Sequence, residues 1–325
     1  MQYNTYFLVG GAGFIASHVI DMLLKKRTTQ KVTIFDNFTV GKSWHYEKHL
    51  SDPRLAVIRG DAKDLKLLTE SMHGHELVMH FASNSDISQA EKNPGIDFSE
   101  GVYLTFHVLE AARITHVKRI IYPSGSGVYG DCGSSLCEEN QGKLIPISPY
   151  GASKLAGEAF IASYCYMFGL SACAFRFANV VGPRQTHGVA YDFIRHLKQD
   201  PSRLRILGDG TQTKSYIYVD DVIRAIEVAS DALMTPFEVY NVATQDVINV
   251  REIADIVVKC MGLKRVEYQF TGGSRGWNGD VPLVLLNSNK LRSLGWSNES
   301  SSGQAIEKSV KAMMENTACR SSVDA

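Results

Sequence analysis

The sequence lacks the features that mark several large functional classes. It has no excess charge: 34 Lys and Arg balance 34 Asp and Glu over 325 residues. That balance argues against a broad nucleic-acid or polyanion surface and leaves room only for a local phosphate pocket. The six cysteines (Cys132, Cys137, Cys165, Cys173, Cys260 and Cys319) form no C-x-x-C pair and no regular framework. Reduced, mostly buried thiols are expected, and a chain of this size needs no disulfide staple. No apolar run reaches the about 20 residues of a membrane span. Met1-Gln2-Tyr3-Asn4-Thr5 has neither a basic region nor a cleavage signature, so the expected location is the cytoplasm. A G-x-S-x-G nucleophile elbow is missing. The pairs His45/His49 and His73/His75 have helical or close spacing but read as surface histidines rather than a zinc site.

What the chain does contain begins at its N-terminus. The apolar run Tyr6-Phe7-Leu8-Val9 breaks into Gly10-Gly11-Ala12-Gly13-Phe14-Ile15-Ala16. An amphipathic stripe of Val19, Ile20, Leu23 and Leu24 follows, with Lys25, Lys26 and Arg27 near its end. Strand, glycine turn and helix are the context in which G-x-G-x-x-G/A binds a dinucleotide. Backbone N–H groups approach the pyrophosphate, and the helix N-terminus faces it. Twenty residues past Ala16, the run Val32-Thr33-Ile34-Phe35 ends in Asp36, a carboxylate that bonds ribose hydroxyls and repels a 2′-phosphate. The cofactor favoured is therefore NAD over NADP.

Further apolar runs end in Gly60-Asp61, in His80-Phe81-Ala82-Ser83, and in the hydroxyl- and glycine-rich turn Ser124-Gly125-Ser126-Gly127. A helix is predicted over Val102 to Arg113. Five strands alternating with helices imply an α/β fold with a doubly wound parallel sheet and a site at the strand carboxyl ends. Ser148-Pro149-Tyr150-Gly151-Ala152-Ser153-Lys154 comes next. A helix starting near Pro149 puts Tyr150 and Lys154 one turn apart on one face. The lysine charge is expected to lower the phenol's pKa toward that of a working base.

Taken together, these motifs resemble the extended short-chain dehydrogenase/reductase family, specifically its nucleotide-sugar epimerase branch. Arg176-Phe177-Ala178-Asn179-Val180-Val181-Gly182-Pro183-Arg184, Leu207-Gly208-Asp209-Gly210 and Tyr218-Val219-Asp220-Asp221-Val222 extend the resemblance over nearly the whole chain. It implies a Rossmann domain over 1–176. A smaller α/β substrate-binding lobe would lie mainly in 177–325, with some segments returning to the Rossmann domain. The implied cofactor set is Gly10, Gly11, Gly13, Phe14, Ile15, Asp36, Asn37, Asp61, Ala62, Phe81, Ala82, Ser83, Tyr150 and Lys154. Ser85, Ser126, Asn179, Lys214 and Arg275 are the implied substrate contacts, the last two for a diphosphate. Tyr150 would be the base at the sugar 4-hydroxyl and Lys154 its partner. The position where relatives place a catalytic Ser or Thr is Gly125, so Ser124 and Ser126 are the substitute candidates. Gly101 and His107 also replace asparagines usual in relatives.

The resemblance also orders the reactions. Dehydratases carry an Asp-Glu pair where Ser126 and Gly127 stand, and nucleotide-sugar decarboxylases a Glu at Gly127, so both readings are disfavoured. The leading expectation is NAD-dependent oxidation at C4 of a UDP- or GDP-linked sugar by a 4-epimerase, through a transient 4-keto sugar. The alternative is a C4 dehydrogenase or 4-ketoreductase that releases or consumes that keto sugar. A non-catalytic NAD(H)-sensing Rossmann protein is the remote third, against which Tyr150 and Lys154 argue. A homodimer through the helices near 102–114 and 150–168 is a family expectation, for which Phe160, Ile161, Tyr164 and Phe168 would serve. A frayed tail is expected from Asn316 to Ala325.

Overall fold

The structure, a computed structural model, describes residues 3–232, 235–277 and 279–321, with side chains through residue 315. In chain order the first elements are β1 (Thr5–Val9), α1 (Phe14–Lys25), β2 (Lys31–Asp36), β3 (Leu55–Arg59), α2 (Leu65–Met72), β4 (Leu77–His80), α3 (Leu104–Ile114), β5 (Arg119–Gly125), β6 (Leu136–Cys137), α4 (Pro149–Phe168) and β7 (Ser171–Phe177). There follow β8 (Asn179–Val181), α5 (Val189–Gln199), β9 (Arg203–Ile206), β10 (Thr213–Lys214), β11 (Tyr216–Tyr218), α6 (Val219–Ala232), β12 (Phe237–Val242), β13 (Ile248–Asn249), α7 (Val250–Cys260), β14 (Glu267–Phe270), β15 (Leu283–Leu286), α8 (Asn289–Arg292) and α9 (Ser302–Ser321).

The apolar runs of β1, β2, β4 and β5 become buried strands within a sheet flanked by helices, whereas β3, at the sheet edge, is only partly buried. The sheet order is β12-β7-β5-β4-β1-β2-β3, seven strands where five had been read from the sequence. The pairs β1–β2, β2–β3, β1–β4 and β4–β5 are parallel. This is a doubly wound Rossmann sheet. From β1 the chain winds outward through β2 and β3, then returns to start β4 on the other side. The switch point lies between β1 and β4, where such sheets bind their ligands.

Two compact units divide the chain. The first comprises residues 1–128, 144–176 and 223–240. Its core joins Phe7, Val9 and Phe35 from the sheet to Leu68, Val108, Leu109, Ile161 and Tyr164 from its helices. Ile161 and Tyr164 are thus core residues, whereas Phe160 and Phe168 are exposed. The second unit comprises 129–143, 177–222 and the chain from 241 onward. Its core is formed by Phe193, Ile194 and Leu197 of α5, Ile253 and Val257 of α7, and Ile306 and Val310 of α9. A capping box starts α7: the Asn249 side chain accepts from Glu252 N–H, and the Glu252 carboxylate accepts from Asn249 N–H. Around these helices lie the parallel pairs β8–β11 and β9–β14 and the small sheet β13-β10-β15-β6.

Two sequence expectations change. The helix expected from Val102 begins earlier, as a π-helical turn over Phe98–Tyr103 that leads into α3. The tail expected to fray at Asn316 continues α9 to Ser321, and 322–325 lie outside the described residues. Polarity alone hid this helix, since helices are set by propensity as well as by an apolar stripe.

Gly10 ties the two halves of the sheet together. Its φ is +75°, and a Cβ there would stand 2.5 Å from the backbone N of Ala82, in the loop after β4. Ala82 N–H in turn donates to Val9 O at 3.0 Å. Gly10→Ala is expected to lose about 1–3 kcal/mol from the backbone conformation alone. The steric overlap adds to this, and a lowered urea midpoint is the measurement that checks it.

Candidate active site

Helix α4 positions the central pair. The Ser148 side chain accepts from Gly151 N–H, Pro149 occupies the first turn, and Gly169 closes the helix in the left-handed conformation. At its start, a Cβ on Gly151 would collide with the Gly127 carbonyl, so the missing side chain lets α4 settle on the turn that follows β5. The i, i+4 spacing then stacks Tyr150 and Lys154. Lys154 is only 3% exposed; its ammonium donates to Pro123 O at 2.8 Å and lies over the rings of Tyr122 at 5.0 Å and Tyr150 at 5.6 Å.

The expected sign of the coupling is reversed in the chain by itself. Burial, then the charge of Asp97, pushes Tyr150 up to about 12 rather than down. Burial pushes Lys154 down to about 8 against the opposing charges of Asp97 and Glu158. The Coulomb argument from spacing omitted desolvation, the larger effect for both groups, and the charge of Asp97.

One turn beyond Lys154, Glu158 forms a buried ion pair with Arg176 of β7: Arg176 Nη2 to Glu158 Oε2 is 2.7 Å, with both side chains 4% exposed. Ser124 Oγ donates to the same carboxylate at 2.5 Å and is itself buried. Ser126 begins the turn after β5 and remains half-buried. A Cβ at Gly125 would meet nothing within 4 Å. Sequence reasoning missed Glu158, although its place four residues after Lys154 was the available signal.

The glycine turn forms a cradle that fits a pyrophosphate. Gly13 precedes α1 without a side-chain cap, leaving the helix N-terminus to a ligand. A Cβ on Gly11 would press on Leu8 O at 2.9 Å. Asp36 accepts from Ala12 N–H at 2.9 Å and from Phe38 N–H at 2.8 Å, which fixes the carboxylate at the end of β2 beside the turn. Asn37 accepts from Thr39 N–H. Asp61 accepts from Lys63 N–H, and Ala62 is buried with its carbonyl 3.3 Å from His107 Nδ1. Phe14 is buried, Ile15 is half-buried on α1, and Phe81, Ala82, Ser83 and Ser85 follow β4 in a half-buried stretch. His45 and His75, expected at the surface, are buried: His45 is held by Ala12 O and His75 bonds Thr33 and Met72, while His49 bonds Asp21.

In the second unit, Asn179 is exposed on β8 and donates to Ser215 O at 3.2 Å. Lys214 pairs with Asp280. Arg275 bonds the Asp280 carbonyl and pairs with Asp131 at 2.7 Å. Both expected diphosphate cations therefore already have carboxylate partners, a fact invisible in sequence because Asp131 and Asp280 are remote in the chain. Among the described residues no group of three or more His, Cys, Asp or Glu side chains is placed to hold a metal ion. Nor is any helix there long and apolar enough to cross a membrane.

A Rossmann sheet with a glycine cradle, a carboxylate at the end of β2 and a Tyr–Lys pair on α4 defines a dinucleotide-dependent enzyme of the extended short-chain dehydrogenase/reductase class. The chain belongs to the NAD dependent epimerase/dehydratase family, whose model matches residues 6–243. It is 28% identical to a UDP-glucose 4-epimerase of Mycolicibacterium smegmatis over 94% of this chain and 96% of that protein. A crystal structure of a UDP-galactose 4-epimerase is 35% identical and superposes with a TM-score of 0.84, covering 96% of this chain and 99% of its own. The dTDP-glucose 4,6-dehydratase DesIV from Streptomyces venezuelae is 26% identical, with a TM-score of 0.89 and coverage of 97% and 98%.

Proposed function

We propose that the chain is a UDP-sugar 4-epimerase. The observation that carries this reading is the Tyr150–Lys154 stack on α4, in the same unit as the glycine cradle and Asp36. Similarity alone does not separate epimerase from dehydratase, since relatives of both kinds superpose well. The residues after β5 support the epimerase reading: the resemblance places an acid and base pair of Asp and Glu there in dehydratases, and this chain has Ser126 and Gly127.

NAD, when bound, supplies the hydride acceptor and donor for C4, and its oxidised form adds positive charge that favours a phenolate. The chain's residues do the rest. Gly10, Gly11, Gly13 and Asp36 hold the dinucleotide, with Phe14, Ile15, Asn37, Asp61, Ala62, Phe81, Ala82 and Ser83 around it. Lys154 bonds its ribose and stabilises the ionised Tyr150. Tyr150 Oη takes the proton from the sugar 4-hydroxyl as C4 is oxidised, then returns it to the oxygen of the reduced carbon. Ser126, with its hydroxyl free of the Glu158 network that engages Ser124, orients the sugar oxygen. Ser85, Asn179, Lys214 and Arg275 bind the sugar nucleotide. The last two do so within their carboxylate pairs, as phosphate joins Asp280 and Asp131 as a shared acceptor.

A second reading, a C4 dehydrogenase or ketoreductase, is favoured by one observation: the open space at Gly125, where no hydroxyl fixes the keto sugar. Incubation with UDP-glucose and UDP-galactose, followed by product NMR and absorbance at 340 nm, separates the two. Inversion at C4 without net absorbance change is the expected outcome. A released keto sugar with matching NADH favours the second reading, and no turnover of any UDP-, GDP- or dTDP-sugar removes both.

The assembly is a homodimer through α3 and α4. Phe160 and Phe168 are exposed on α4 beside Tyr166 and Met167, which are 73% and 74% exposed, and Phe106 and Ile114 are exposed on α3. Exposed large apolar side chains on these two helices are what an interface would cover. Light scattering at a monomer's mass would overturn this.

A further inference from the structure

Asp97 lies outside the residues assigned above, and its surroundings are unusual. It is 1% exposed. One carboxylate oxygen accepts from Asn84 Nδ2 at 3.0 Å, and the other is buried with no hydrogen-bond partner. A carboxylate so placed is expensive to keep unless a nearby charge answers it. The helical turn that Asp97 opens runs along α4. At Gly101, one turn further on, the approach is so close that a Cβ would stand 2.6 Å from Ser153 Oγ. Ser153 is the residue before Lys154, and its hydroxyl donates to Tyr150 O at 2.8 Å. Residues four apart share a helix face, so the turn that brings Gly101 against Ser153 carries Asp97 toward the same helix. The missing side chain at Gly101 lets the turn close on α4.

We propose that Asp97 is a positioning residue for the Tyr150–Lys154 pair, its buried carboxylate supplying the negative charge that holds the Lys154 ammonium and keeps the Tyr150 phenol protonated until a further positive charge arrives. This rests on the proposed role of Tyr150 as base. In the chain alone, one carboxylate and one ammonium balance, and a phenolate would add an uncompensated charge to a buried site. A cationic dinucleotide ring tips that balance, so the base forms only in the complex that can use it. The other titratable groups packed on the pair are Tyr122 and His80, both neutral through burial, and Glu158, whose charge is answered by Arg176.

The test is Asp97→Asn, which keeps the shape and the bond to Asn84 and removes the charge. Tyrosinate absorbance near 295 nm, taken as the difference from the same protein carrying Tyr150→Phe, reads the titration of Tyr150 without any turnover. It is expected to move by about one pH unit to lower pH, as loss of a nearby like charge requires. Both limbs of the pH profile of kcat/KM should move the same way, because Lys154 also loses its counter-charge. Asp97→Ser should behave as Asp97→Asn does, and Asp97→Glu should keep the wild-type titration. An unmoved titration in both neutral variants, or the same shift in Asp97→Glu, overturns the proposal. Because the absorbance needs no substrate, failure of the 4-epimerase assignment would leave this result standing.

Discussion

Changing Tyr150 to Phe is expected to lower kcat by roughly 10²–10⁴-fold, the range over which a positioned general base contributes. NAD affinity should be nearly unchanged. The phenol is the group proposed to touch the reacting proton, while the glycine turn and Asp36 are the proposed hold on the dinucleotide. The ring of Tyr150 stays in place as Phe and still covers Lys154, so the cation–π contact at 5.6 Å survives the substitution. Initial rates with UDP-galactose, paired with fluorescence titration of NADH, are the measurements. Retention of full turnover would remove Tyr150 as the base. Loss of NADH binding together with turnover would place the residue in cofactor binding instead.

The largest stability effect is expected from Glu158→Ala. This change removes the carboxylate that pairs with the Arg176 guanidinium at 2.7 Å, both side chains being 4% exposed, and leaves the Ser124 hydroxyl without its acceptor. Breaking one partner of a buried pair typically costs about 3–5 kcal/mol. The urea midpoint should fall accordingly. Replacing both partners by apolar residues of similar volume, Glu158→Leu with Arg176→Met, should recover much of the loss, since an apolar pair carries no buried charge to desolvate. A single variant with an unchanged midpoint would contradict the pair's structural role.

Legibility in the sequence followed the range of the interaction. The β1 strand, the glycine turn and α1 were readable because apolar run, turn and stripe are local patterns. So was α4, with Pro149 at its start and Tyr150 and Lys154 at helical spacing. The strands β7 and β12 were harder, since their places in the sheet depend on connections that pass through the second unit. Asp97 gave no sign at all: its burial arises from the closure of its turn on α4, which no pattern around residue 97 records. The partners of Lys214 and Arg275 were hidden for the same reason. The direction of the Tyr150 shift was misjudged because spacing reveals which charges meet, whereas desolvation depends on everything packed around them.

The order in which the sheet is completed has a consequence for how the protein is made. Strand β12, which borders β7, comes from residues 237–242, after the chain has left the first unit and returned to it. A ribosome that has released only the first 180 residues has delivered the glycine turn, Asp36, Tyr150 and Lys154, yet β7 still lacks one neighbour and exposes a row of unpaired backbone groups. During vectorial synthesis this open edge persists for some sixty further residues, about 3–12 s at ordinary elongation rates. That interval is when the nascent chain is most open to mispairing with another strand. Truncations ending between residues 180 and 236 should consequently be recovered as aggregates even though every residue of the Tyr–Lys pair and its glycine cradle is present.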